Sequence, residues 1–351
     1  MSEILVTGGN GFVGRRLVAE LLSRGDAVRV LALPGEDAAW LETLGAVVYR
    51  GDIRQLASLE QSIRGADAVV HLAGLMGVWL PTATYRAVNV TGTRNVCQAV
   101  LRHGVRRMVH VSSWTVYGMG LGQVVREDHL LRPLAEPYAQ TKAAGDLAVQ
   151  RMIATERLPA VIVRPGTMFG AGDVLNFGRT VERLRARRQV IVGSGRNALP
   201  LVHVTDVVSG LTLALDHAQA SGQAYNIGND RPLTQEEFLH EVAMETGLAP
   251  PRVRVPYRAL YAAAYAAERF AVLTRSPEGP LVTRHGIALF GTDNRHAVDK
   301  AQRELGYSPH IDLRAGIREA AAWYLDRAPA SSSYLSTAQL AAEEDVTAWR
   351  F

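Results

Sequence analysis

Two hydrophobic periods alternate along the first 165 residues. Short β-rich apolar runs occur at Ile4-Leu5-Val6-Thr7, Ala27 to Leu33, Val47-Val48-Tyr49, Ala68 to Leu72 and Arg107 to Val111. Between them apolar residues fall three and four apart: Leu17, Val18, Leu21 and Leu22 share one face, and 38–44, 58–64 and 85–103 are also helical stretches. The runs read as strands and the spaced stretches as amphipathic helices. Strand and helix in alternation argue for a parallel, doubly wound α/β sheet. A longer helical pattern runs from Pro137 to Met152, and another, of small and aromatic residues, from Tyr257 to Leu273.

The connections carry the candidate chemistry. Gly8-x-x-Gly11-x-x-Gly14 lies between the first strand and the first helix, with Phe12 and Val13 inside it. Glycines there let the backbone approach a pyrophosphate, whose charge is met by free N–H groups and the helix dipole. The spacing departs from the usual G-x-G-x-x-G, so the context of strand before and helix after is what points to a dinucleotide. Asp52 follows a strand and either bonds adenine edges or is a plain loop aspartate. After the second strand NAD sites place a carboxylate and NADP sites an arginine. That region reads Leu31-Ala32-Leu33-Pro34, with neither, and leaves NAD or NADP open.

Tyr138 and Lys142 stand four apart in a helical stretch, so both lie on one face. A phenol ordinarily titrates near pH 10, and an ammonium group nearby moves it toward the working range of an acid-base catalyst. Lysine is otherwise avoided: the formal charge of +4 is written almost entirely as arginine, and Lys300 is the one other lysine. A +4 excess spread over 351 residues is too diffuse for a nucleic-acid surface. Cys97, the single cysteine, excludes an intrachain disulfide and a thiolate cluster, and no histidine spacing matches a metal site. His71 and His110, in apolar strands, read as satisfied core residues. With no basic leader, and no 18-residue apolar stretch free of charge, the expected location is cytoplasmic.

Further segments extend the pattern: Val109-His110-Val111-Ser112-Ser113-Trp114-Thr115-Val116-Tyr117-Gly118, Arg164-Pro165-Gly166, Val202-His203-Val204-Thr205-Asp206 and Tyr225-Asn226-Ile227-Gly228. With Thr7 to Gly14, Gly51-Asp52, His71-Leu72-Ala73-Gly74, Asn89 and Tyr138-x-x-x-Lys142, the chain resembles an extended short-chain dehydrogenase/reductase over about residues 3 to 327. The resemblance implies a Rossmann-type sheet with a smaller C-terminal substrate lobe. It divides the chain into 1–165 plus 201–230 for the dinucleotide, 166–200 plus 231–328 for the substrate, and a tail at 329–351. It implies Tyr138 as acid-base, Lys142 as its activator and ribose ligand, and Ser113 as the hydroxyl bonding the substrate oxygen. Cofactor contacts would come from Gly8, Gly11, Phe12, Val13, Gly14, Asp52, Ile53, Leu72, Ala73, Gly74, Asn89, Lys142, Pro165 and Met168. A homodimer through the helices at 85–103 and 138–155 is also implied.

Two departures narrow the branch. Sugar-nucleotide dehydratases of this family carry an acidic pair where Trp114 and Thr115 follow Ser113. Sugar-nucleotide epimerases place a diphosphate-binding arginine where Leu199 stands, with Arg196 nearby as a possible substitute. Loops after strands instead carry apolar residues, and Met76, Trp79, Trp114, Phe169 and Asn197 are the candidate substrate contacts. The segments 33–37 and 51–52 resemble dihydroflavonol reductases, and 280–284 with 300–307 resemble 3β-hydroxysteroid dehydrogenases. The expected activity is NAD(P)-dependent interconversion of a ketone and a secondary alcohol on a largely hydrophobic, sterol-, flavonoid- or lipid-like molecule. The alternatives are a sugar-nucleotide 4-epimerase or reductase and a non-catalytic NAD(P)-binding scaffold.

Overall fold

A computed structural model describes residues 2–77, 79–274, 276 and 279–327. The tail at 329–351 lies outside the described residues. The strands are β1 (Glu3–Thr7), β2 (Ala27–Ala32), β3 (Val47–Arg50), β4 (Ala68–His71), β5 (Arg107–Val111), β6 (Ala160–Pro165), β7 (Thr167–Phe169), β8 (Ile191–Val192), β9 (Leu201–His203), β10 (Ala224–Ile227) and β11 (Arg254–Val255). The helices are α1 (Phe12–Ser23), α2 (Ala39–Thr43), α3 (Leu56–Ile63), α4 (Thr82–Arg86), α5 (Thr93–Arg102), α6 (Pro137–Glu156) and α7 (Arg179–Arg185). They continue with α8 (Val204–Asp216), α9 (Gln235–Glu245), α10 (Tyr257–Leu273), α11 (Arg284–Gly291), α12 (Asp299–Leu305) and α13 (Leu313–Arg327).

Seven strands form one parallel sheet in the order β10-β6-β5-β4-β1-β2-β3. The order reverses at β1, between β4 and β2, which opens a crevice at the carboxyl ends of β1 and β4. Every residue of β4 and β6 is buried, as expected of strands covered on both faces. The chain leaves the sheet after β6 and returns as β10, whose Ile227 carbonyl accepts from the Gly166 N–H at 2.8 Å. The excursion and the chain after β10 together build the second lobe around Phe177, Val181, Phe238, Leu239 and Ile317. Ala301, Leu305 and Tyr307, in and just after α12, pack back into the core beside the sheet.

α6 carries Tyr138 and Lys142 and is anchored at three places. Glu136 caps it, accepting from the N–H groups of Tyr138 at 2.9 Å and Ala139 at 2.6 Å, and Pro137 opens its first turn. Asp146 pairs with Arg164 of β6 at 2.9 Å, both side chains buried. A buried pair holds only where its remaining lone pairs and protons are satisfied. Here Arg164 also donates to the Tyr117 hydroxyl at 2.7 Å, and Gln150 donates to Asp146 at 2.6 Å. Burial raises the Asp146 pKa, but the Arg164 guanidinium outweighs it and holds the carboxyl below its usual range. Third, Asn89, on a π-helical turn at Ala87–Gly92, donates to the Thr141 hydroxyl at 3.1 Å.

Candidate active site

The glycine turn fits a dinucleotide. Gly8 has φ +73°, and a Cβ there would meet the Ala73 nitrogen at 2.7 Å; a Cβ on Gly14 would meet the Gly8 carbonyl oxygen at 2.1 Å. The turn is therefore packed against both α1 and the segment after β4, with no room for side chains. Gly11 caps α1 without a side-chain bond and the first turn carries no acid, so its N–H groups are left for an anion.

Gly74 follows Ala73, and the position of its missing Cβ is 3.7 Å from Lys142 Nζ. The amine thus lies against the same loop that packs on the glycine turn. Lys142 is buried and donates to the Val111 carbonyl at 2.7 Å, at the end of β5. Burial lowers its pKa from the usual 10.5 to about 8, with Asp146 opposing.

Ser113 caps the short turn Trp114–Tyr117 after β5, and its Oγ lies 2.9 Å from Thr115 Oγ1. The Tyr138 phenol lies near enough to both hydroxyls for each to act on its pKa. Three hydroxyls thus meet at the carboxyl end of β5, two from one turn and one from α6. Burial pushes the Tyr138 phenol up to about 12, the neighbouring Ser113 and Thr115 hydroxyls oppose the rise, and Glu136 adds to it. The phenol therefore sits above its ordinary value, whereas the sequence led us to expect an ammonium to lower it. Burial is the largest influence, and one donor of the Lys142 ammonium is spent on Val111.

Several expected contacts are occupied by the protein itself. Asn89 clamps the 75 position, accepting from the Leu75 N–H at 2.8 Å and donating to its carbonyl at 3.0 Å, so it shapes the loop rather than offering its amide to a ligand. The Asp52 carboxylate accepts from the Arg54 backbone at 2.8 Å and side chain at 2.7 Å. Ile53 is buried, and its carbonyl accepts from Asn95 at 2.8 Å. Leu72, Ala73 and Met168 are partly buried, and Pro165 is buried at the end of β6.

The substrate candidates divide. Met76 and Trp79 are half-buried on the loop after β4. Phe169 requires correction: it is 1% exposed, stacked edge-on to His203 within the lobe core, and presents no surface to a ligand. Trp114 is likewise buried, donating to Thr167 at 3.2 Å with its ring edge-on to His296. Asn197 spends its amide N–H groups on the carbonyls of Phe290 at 2.7 Å and Thr292 at 3.0 Å, which latches the end of α11. His71 is satisfied by Thr7 at 2.7 Å and Thr93 at 3.1 Å. His110 stacks on it at 5.4 Å with neither ring nitrogen bonded, so the expectation of a satisfied core histidine fails there.

Three residues went unnoticed in the sequence. Thr115 joins the hydroxyl cluster from two residues beyond Ser113. His285 of α11 stands edge-on to the Tyr138 ring, with its Nδ1 3.2 Å from Glu136 Oε1. Glu36 folds back to the end of β2, where its carboxylate accepts from the Leu33 N–H at 2.9 Å and from Asn10, in the glycine turn, at 3.0 Å.

A parallel sheet with this crevice, an uncapped helix over a glycine turn and a Tyr–Lys helix beside it define a nicotinamide-dependent oxidoreductase fold. The chain belongs to the NAD dependent epimerase/dehydratase family, whose model matches residues 4–228. It is 30% identical over 330 residues to a 2-alkyl-3-oxoalkanoate reductase of Stenotrophomonas maltophilia (strain K279a), covering 90% of this chain and 97% of that protein. It is 31% identical over 343 residues to a 3-beta-hydroxysteroid dehydrogenase of Mycolicibacterium neoaurum, covering 93% of this chain and 92% of that one. The fold is shared with UDP-glucuronic acid 4-epimerase from Bacillus cereus in complex with NAD, at a TM-score of 0.72, 22% identity, and 92% and 99% coverage. The protein is an NAD(P)-dependent oxidoreductase of that family.

Proposed function

We propose that the protein interconverts a ketone and a secondary alcohol on a largely hydrophobic substrate, with Tyr138 as acid-base, Ser113 as fixed hydrogen-bond donor and Lys142 as ligand of the cofactor ribose. The observation that carries this reading is the meeting of the Ser113, Thr115 and Tyr138 hydroxyls beside the loop that also touches Lys142. A bound nicotinamide supplies or accepts the hydride. In reduction, charge builds on the carbonyl oxygen, and Tyr138 gives that oxygen a proton from Oη. A phenol held neutral by burial is the form that can donate. Ser113 Oγ donates a hydrogen bond to the same oxygen, and Thr115 Oγ1 fixes the direction in which Ser113 points. Lys142, buried and anchored on Val111, holds its remaining N–H groups toward the Gly74 loop, where a ribose hydroxyl would lie.

The substrate class is supported by apolar surface on the loop after β4 and by the names of the two relatives, a reductase of 2-alkyl-3-oxoalkanoates and a 3-beta-hydroxysteroid dehydrogenase. Leu199, buried in the lobe core, speaks against the sugar-nucleotide alternative, because a diphosphate needs paired charge. Glu36 favours NAD over NADP: a carboxylate at the end of β2 bonds ribose hydroxyls and repels a 2′-phosphate. A homodimer through the helices at 85–103 and 138–155 belongs to the same reading and is supported by Leu147, half-exposed in the middle of α6.

The test follows reduced-nicotinamide absorbance with NADH and NADPH against flavonoids and β-keto lipids and with NAD and NADP against sterols, beside chromatography of UDP-sugars for epimers, whose formation leaves the absorbance unchanged. Turnover of an apolar ketone that is lost in Tyr138→Phe, with cofactor binding retained, is the expected result. Full turnover by Tyr138→Phe removes the mechanism; turnover of UDP-sugars alone removes the substrate class.

A further inference from the structure

We infer that the outward face of α10 is a docking surface for an anionic membrane. The inference rests on the polarity of one helix and is independent of the reaction proposed above.

α10 is turned inside out relative to an ordinary surface helix. Its one acid, Glu268, is buried and paired with Arg284 at 2.6 Å. Ala264 and Ala271 share that inward side and pack toward the lobe. The outward side carries Tyr265, Phe270, Val272 and Leu273, with Phe270 68% and Leu273 76% exposed. At 100° per residue, Arg258, Tyr265, Arg269 and Leu273 fall within one quarter of the helix circumference. The exposed face is thus apolar and aromatic with two arginines and no carboxylate. Scattered exposed apolar residues need no explanation, but a contiguous set rimmed by one sign of charge does.

A further exposed apolar residue follows the helix. Leu281 is 80% exposed, and its carbonyl accepts from Arg183 at 3.0 Å. That bond joins Leu281 to the arginine-rich end of α7, with Arg187 and Arg188 exposed just after it. Apolar and aromatic side chains bordered by arginine are the composition of a helix lying in the interface plane of a bilayer with anionic lipid. Among the described residues no helix is long and apolar enough to cross a membrane, so the contact is peripheral. The location adds a consequence. The segment after α10 touches the substrate loop, since a Cβ on Gly279 would meet the Trp79 ring at 2.4 Å. Gly279 therefore ties the chain leaving α10 to the loop that carries the half-buried Met76 and Trp79.

The test is co-sedimentation of the full chain with vesicles of phosphatidylglycerol and phosphatidylcholine, and with vesicles of phosphatidylcholine alone, at low and high salt. The expected result is binding to the anionic vesicles that weakens with salt. Phe270→Ser with Leu273→Ser should lower it by about tenfold or more, and Arg258→Gln or Arg269→Gln by about fivefold each. These are surface positions, so melting temperature and turnover of a water-soluble ketone should stay unchanged, and light scattering should report the same oligomer. Absence of binding to either vesicle overturns the inference, as does binding indifferent to these substitutions. Equal binding to phosphatidylcholine overturns the anionic assignment. A change of oligomer in the Phe270 and Leu273 variant, without vesicle binding by the parent, assigns the face to a second copy instead.

Discussion

The imidazole of His285 stands edge-on to the ring of Tyr138, with 6.0 Å between centroids and 74° between planes. The two residues come from different lobes, 147 positions apart, which is the difference of their numbers. His285 also reaches Glu136, which caps the helix that carries Tyr138. The second lobe thus touches the phenol and the cap of its helix through one side chain. His285→Ala should lower kcat several-fold, roughly threefold to tenfold, by loosening the ring. Cofactor affinity, read by fluorescence titration, should not move. A fall in cofactor affinity equal to the fall in kcat would show a general disturbance of α6 instead.

The hydroxyl cluster predicts a graded series. Ser113→Ala removes the fixed donor and should cost about 10²-fold in kcat, the order of one oxyanion donor. Thr115→Val leaves Ser113 in place but unaimed, and should cost about tenfold, with KM little changed. Steady-state kinetics on the same ketone checks the order Ser113 before Thr115; the reverse order removes the positioning role of Thr115.

Lys142 predicts a pH dependence of stability. Its pKa falls from 10.5 unfolded to about 8 folded because the charged form is buried. Below pH 8 both states are protonated and the buried charge opposes folding by about 3 kcal/mol, at about 1.4 kcal/mol per pK step. From about pH 8 to 10.5 the folded amine releases its proton before the unfolded one does, so that opposition disappears and stability rises. Tyr138, raised toward 12, works the other way, and only above the ordinary phenol value of 10. Urea midpoints of the parent and Lys142→Met should therefore converge between pH 7.5 and about 9.5, with Lys142→Met the more stable at the lower value. Parallel midpoints across that range contradict the buried-ammonium argument.

Glu36 predicts the cofactor. The parent should use NADH better than NADPH, and Glu36→Gln should narrow the ratio of their kcat/KM values by about tenfold. Because Glu36 also bonds Leu33 and Asn10, Gln is the conservative choice, and melting temperature should fall little. A parent that prefers NADPH, with Glu36→Gln unchanged, assigns no role to the carboxylate.

Gly14 is a stability prediction. A methyl group there meets the Gly8 carbonyl oxygen at 2.1 Å, backbone that cannot swing aside. Gly14→Ala should cost about 2–3 kcal/mol in urea unfolding and weaken cofactor binding with it. A stability loss within error of zero shows that α1 can slide without cost.

Much of the sheet is legible in the chain because parallel strands are buried on both faces and write continuous apolar runs, as Ala68 to His71 and Ala160 to Val163 do. The glycine turn and the Tyr138–Lys142 pair are equally legible, since each is local. What escaped is non-local. Glu36 lies four residues beyond β2, and Gly35, at φ +86°, folds it back to the strand end, which linear spacing does not reveal. His285 reaches Tyr138 only after the lobe has folded. Phe169 fails in the opposite sense: its position matches the expected pattern, but the lobe core takes the ring. His110 shows that a strand interior can hold a polar ring with no partner where its stacked neighbour uses both available hydroxyls.

Where the chain departs from the sheet and where it re-enters are stitched together, Gly166 to Ile227 and Thr167 to Pro200. Length can therefore be added or removed between Thr167 and Pro200 without altering how β6 meets β10. One half of the molecule can change the shape it accepts while the other keeps its hydride chemistry intact.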